Sequence, residues 1–106
     1  MNLPQIINDL VNAQNHFDST NFVNCFSETA NVVDESKTYT GKAEIKNWIE
    51  ISTKEYNATM KPLVFEGNQE KGNLKAEVSG TFPGSPLVLN YNFKFEEGKI
   101  QYLEIN

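Results

Sequence analysis

The chain has 106 residues and a mass of 12.0 kDa, with 39% hydrophobic and 11% aromatic residues, which is one domain (residues 1–106) with enough apolar surface for a core and not a disordered chain. Nine Lys and no Arg stand against fourteen acidic residues, a net charge of −5. That balance argues against nucleic-acid partners and an anionic membrane surface, and it removes any guanidinium clamp on phosphate or carboxylate.

The opening segment, Met1-Asn2-Leu3-Pro4, has no basic flank or long apolar run of the kind that directs secretion, and no stretch reaches the ~20 apolar residues of a membrane span. A cytoplasmic location is the expectation. Leu3, Ile6, Ile7, Leu10, Val11 and Phe17 fall on one stripe at helical spacing, with Pro4 suited to a first turn. Asp18-Ser19-Thr20 offers a break and a new N-cap, after which Phe22, Val23 and Phe26 predict a second, short helix. Cys25, the single cysteine, reads as a small buried hydrophobe. With His16 the only histidine, a Cys/His zinc site would need Asp or Glu to complete it, and neither metal nor cofactor is expected.

Ala30 to Glu35 predicts a short strand, and Ser36 to Gly41 a loop or second short strand. A third helix carries Ile45, Trp48, Ile49, Ser52 and Tyr56 on one face, with Glu44 near its start and Lys54 near its end, where each charge suits the helix dipole. The remainder reads as strands. Leu63-Val64-Phe65 begins the run, close to Pro62. Leu74, Ala76, Val78, Gly80 and Phe82 alternate with polar residues, as do Leu87, Leu89, Tyr91, Phe93 and Phe95 with Val88, Asn90, Asn92 and Lys94. Ile100 to Ile105 closes the chain, and turn signals at 70–73, 83–86 and 96–99 separate these strands. Helices followed by an antiparallel meander define an α+β domain, in which a strongly twisted sheet wraps the helices and leaves a cone with an open mouth.

This order resembles the nuclear transport factor 2-like superfamily, in its ketosteroid-isomerase and SnoaL-like branch. The likeness is carried by His16-Phe17-Asp18, by Phe26-Ser27-Glu28-Thr29-Ala30-Asn31-Val32-Val33-Asp34, by Gly41-Lys42-Ala43-Glu44-Ile45-Lys46-Asn47-Trp48 and by Phe93-Lys94-Phe95-Glu96-Glu97-Gly98-Lys99-Ile100. It implies a cone-shaped fold with helices packed on a strongly curved antiparallel or mixed sheet, a homodimer through the outer sheet face, and an interior that holds a small molecule. The superfamily spans isomerases, dehydratases, polyketide cyclases, epoxide hydrolases and non-catalytic assembly modules, so the fold alone fixes no chemistry.

The likeness places Asp34 where the isomerase branch keeps its general base. A carboxyl against an apolar wall has a raised pKa, suited to proton transfer near neutral pH; the alternative is a solvated carboxylate at a strand end. The branch's two oxyanion donors would fall on Leu10, which cannot donate, and on Tyr91, a phenol in place of an acid. The absence of Arg and of a second His sets the chain apart from the epoxide-hydrolase and scytalone-dehydratase branches. The expectation is a small-molecule binding protein with Asp34 and Tyr91 as polar, candidate catalytic groups. Trp48, Phe82, Leu89 and Phe93 are candidate walls, joined by Tyr56 and by Tyr39, placed to close over the mouth. The alternatives are an isomerase, dehydratase or cyclase using Asp34 as proton shuttle, and an assembly module whose interior is filled by its own side chains.

Overall fold

A computed structural model of the chain describes residues 2–106. Helix α1 (Gln5–Asn15) follows Pro4 and buries Ile7, Leu10 and Val11. Phe17 does not join that stripe: the helix ends at Asn15, the backbone turns left-handed at Phe17 (φ 55°), and its ring is 45% exposed. That turn starts α2 (Ser19–Asn24), whose N-cap Asp18 accepts a hydrogen bond from the Asn21 N–H at 3.0 Å. Phe26, expected on this helix, instead opens strand β1 (Phe26–Asp34), which starts earlier than the predicted Ala30. Its ring is fully buried, 5.5 Å from that of Phe22.

Strand β2 (Lys37–Thr40) returns from β1 and leads into α3 (Gly41–Tyr56). The Thr40 N–H donates to Glu44 Oε1 at 2.8 Å, so the acid in the first turn caps the helix start. Asn57, left-handed at φ 49°, ends it. Strands β3 (Thr59–Gly67), β4 (Lys71–Ser79), β5 (Leu87–Glu96) and β6 (Lys99–Ile105) form the predicted meander. Among the described residues the sheet has six strands in the order β2-β1-β6-β5-β4-β3, antiparallel except where β1 runs parallel to β6.

Three of its ladders carry register shifts, the β5–β6 one between Lys94 and Phe95. The β1–β6 ladder breaks between Phe26 and Asn31, and the Gln101 amide fills the gap, donating to the Thr29 carbonyl at 3.3 Å while its own oxygen accepts from the Ser27 hydroxyl. On β3 the register shifts between Pro62 and Val64, and Leu63 bulges outward, 42% exposed. Pro62 lies inside β3 and not near its start, tolerated because β3 is an edge strand. The backbone of β3 is in turn tied to α1: Asn15 donates from Nδ2 to the Met60 carbonyl (3.0 Å) and accepts from the Met60 N–H (2.7 Å). The three helices cover the concave face, where Val32, Leu74, Ile100 and Leu103 are fully buried.

The predicted β4 overreaches. The strand ends at Ser79, and Gly80 and Phe82 leave the sheet. Gly80 lies so close to the last turn of α3 that a Cβ there would come within 2.5 Å of the Tyr56 carbonyl. The Thr81 N–H donates to that carbonyl at 2.8 Å, anchoring the 80–86 loop to the end of α3. Phe82 then meets Tyr56 edge-on, ring centroids 6.0 Å apart.

Candidate ligand site

The concave face leaves a cavity of about 530 Å³ between sheet and helices. Sheet register determines which polar groups reach it. Asp34 on β1 and Tyr91 on β5 both pair with Ile105 on the intervening β6. Neighbouring strands lie about 4.8 Å apart, so the two backbones stand about 10 Å apart, with both side chains on the same face. Both line the cavity, with the apolar side chain of Ile105 between them.

Asp34 ends β1 immediately before the two-residue turn Glu35-Ser36, whose φ values of 51° and 66° are those of a type I′ hairpin. Its carboxylate is half-buried and accepts one hydrogen bond, from Trp48 Nε1 to Oδ2 at 3.3 Å. Burial raises its pKa above the ordinary 3.8; the indole hydrogen bond opposes that shift and nearby Glu35 adds to it. Lys37 faces Asp34 across the hairpin but is exposed, and the ion pair found among the described residues is elsewhere, between Lys42 and Glu28. On Tyr91, burial first and the Asp34 charge second push the phenol well above its usual 10. It therefore stays protonated across the physiological range, a donor with no side-chain or backbone partner among the described residues.

The walls are apolar. Trp48, Phe82, Leu89 and Tyr56 line the cavity. Trp48 is held by Tyr39, stacked on it at 5.6 Å, and by Phe22 at 6.1 Å. Tyr39 thus braces the indole from behind, and the lining does not include it as a cover over the mouth. Phe93 is not a wall either. It is 2% exposed, stacked between Tyr91 (6.5 Å) and Phe95 (5.7 Å), and absent from the lining. Leu10, the position of the branch's missing phenol, does line the cavity and offers no donor there.

Sequence reasoning passed over Phe22, Met60 and Glu35, all of which line the cavity. Phe22 reads only as part of a short helix, and Met60 carries no signal of its own. Glu35 reads as solvated, and its position at the rim follows from the tight turn, which a Gly- or Asn-poor sequence does not announce. His16 caps α1, its Nδ1 2.7 Å from the Asn12 carbonyl, outside the cavity. Cys25 is 3% exposed, and burial pushes its thiol to about 11, so it is not a nucleophile near neutral pH. Among the described residues no group of three or more His, Cys, Asp or Glu side chains is arranged to hold a metal ion, and no helix is long and apolar enough to cross a membrane.

The same architecture recurs in solved structures. A protein from Sinorhizobium meliloti with a provisional polyketide-cyclase assignment is 34% identical over 98% of this chain and 95% of its own, with a TM-score of 0.93. A Catenulispora acidiphila protein of ketosteroid-isomerase-like fold, solved in complex with trimethylamine, is 15% identical over 99% of this chain and 86% of its own (TM-score 0.88). An NTF2-like protein of unknown function from Cytophaga hutchinsonii is 12% identical over 95% and 85% (TM-score 0.80). No family model matches the chain, and no curated protein does. The chain belongs to the nuclear transport factor 2-like superfamily; its likeness to the Sinorhizobium protein extends to sequence, and its likeness to the other two is one of fold.

Proposed function

We propose that this protein binds a small, largely apolar molecule in the cone, with the ligand's polar group directed at Asp34 and Tyr91. The observation that supports this most is the pairing of a roughly 530 Å³ apolar hollow with two polar side chains that converge on it from alternate strands. Ligand sites commonly have this form, apolar walls with a few aimed polar groups. An interior filled by its own side chains, as an assembly module would have, is not what this volume supports. Trp48 is the sole tryptophan and lines the site, so its emission and its indole N–H resonance both report on occupancy. Titration with 2-tetralone, a fused-ring ketone, is expected to shift both signals saturably. Unshifted signals up to the probe's solubility limit would overturn the proposal.

A second reading, proton transfer, is favoured by the Asp34 environment. Its carboxyl is raised by burial, and Tyr91 stays a neutral donor. The Asp34 carboxylate would take a proton from the carbon next to a ligand carbonyl while Tyr91 donates a hydrogen bond to the developing enolate oxygen. Exchange of the 2-tetralone α-protons for deuterium in D2O measures this step. The protein is expected to accelerate it, and Asp34→Asn to abolish the acceleration; equal exchange with the variant would rule Asp34 out as the base.

A further inference from the structure

We infer that the ligand carries a positive charge: a lipophilic amine or quaternary ammonium compound, its apolar part against the aromatic walls and its cation beside Asp34 and Glu35. This rests on the small-molecule reading above and specifies its ligand class. The charged groups facing the cavity are of one sign. β1 contributes Asp34 and the following turn Glu35; among the described residues no Lys or His lines it, and the chain has no Arg. From α1, α2, β3, β4 and β6 come apolar or amide side chains.

Five aromatic rings complete the surroundings: Phe22, Trp48, Tyr56, Phe82 and Tyr91. Aromatic faces attract a cation electrostatically, in addition to the apolar contact they offer a neutral hydrocarbon of the same shape, and that attraction grows as water is excluded. Asp34 supplies the stronger argument. A carboxylate drawn partly out of water is stabilised by a cationic partner. This one has a single indole hydrogen bond, and the facing Lys37 is exposed and unpaired with it. A bound cation would provide the missing counter-charge. The negative field extends across the site: Asp34 contributes to the raised pKa of Tyr91, behind burial, and to that of Tyr56, behind Glu55 and Glu35.

The test compares three probes of similar shape on the full chain, each followed through the Trp48 signals: phenyltrimethylammonium, tert-butylbenzene and benzenesulfonate. The cation is expected to bind about tenfold or more tightly than the neutral hydrocarbon, with the anion weakest. In an Asp34→Asn, Glu35→Gln double variant the cation's advantage over the hydrocarbon is expected to fall below about threefold. Equal affinity for cation and hydrocarbon, or a preference for the anion, overturns the charge inference and leaves the apolar small-molecule reading standing. Failure of all three to move Trp48 overturns both. Should the double variant not fold, the wild-type Asp34 carboxyl resonance decides: saturation with the cation lowers its titration midpoint, and an unmoved midpoint overturns the inference.

Discussion

Asp34 is costly where it is. Its folded pKa lies above the unfolded value because burial penalises its charge. For a carboxyl raised in this way the folded state holds its proton more tightly than the unfolded state. The favourable contribution is therefore present below pH 3.8 and lost as pH rises through the folded pKa, leaving the burial penalty in force at neutrality. Asp34→Asn keeps an oxygen for the Trp48 N–H and removes the charge. It is expected to raise the melting temperature at pH 7, the gain shrinking toward zero as pH falls below 3.8; thermal melts of both proteins across that range check the sign, and a destabilised variant at pH 7 would contradict it. Asp34 could be picked out from the sequence because two β-branched residues precede it and the family likeness places a base there. Its indole partner could not, since Trp48 lies fourteen residues away on α3 and only the packing of α3 on β1 brings the two together.

Individual elements were legible where the pattern is local. The β5 alternation correctly turns Leu89 and Tyr91 inward, and the spacing of Ile45 and Ile49 gives the buried stripe of α3. Errors cluster at ends, where apolar residues continue a pattern that the backbone has abandoned: Phe17 beyond α1, Phe26 beyond α2, Phe82 beyond β4. Hydrophobic spacing carries no information about the turn that intervenes, and in each case the stop is set by backbone geometry or a distant hydrogen bond. Another long-range contact carries part of the stability. The Asn15 amide bonds both backbone groups of Met60 across forty-five positions. Asn15→Ala leaves a part-buried donor and acceptor on β3 unpaired, and is expected to cost about 1–3 kcal/mol in a urea unfolding experiment. A change below about 0.5 kcal/mol would mean that water replaces the amide without loss.

At the scale of the molecule, helices followed by a meander could be read from the sequence, and so could an α+β cone. The parallel insertion of β1 beside β6 could not be read from spacing, because it joins segments at opposite ends of the chain. That insertion brings Asp34 and Tyr91 to the same level of the sheet, so the site's geometry depends on the least local feature of the fold. The outer sheet face carries Val64 and Val88, 42% and 55% exposed, and a groove lined by Asn73, Asn92, Tyr102 and Glu104. The family likeness implies a homodimer through this face. Light scattering at micromolar concentration is expected to give twice the 12.0 kDa chain mass, and a clean monomer would contradict that expectation.

The account depends on a desolvated carboxylate inside an apolar hollow, and the titration of the Asp34 side-chain carboxyl by carbon-13 NMR tests that most directly. In the free protein the midpoint is expected above the ordinary 3.8. A midpoint at or below that value would mean that the carboxylate is not desolvated by the hollow and would contradict the account.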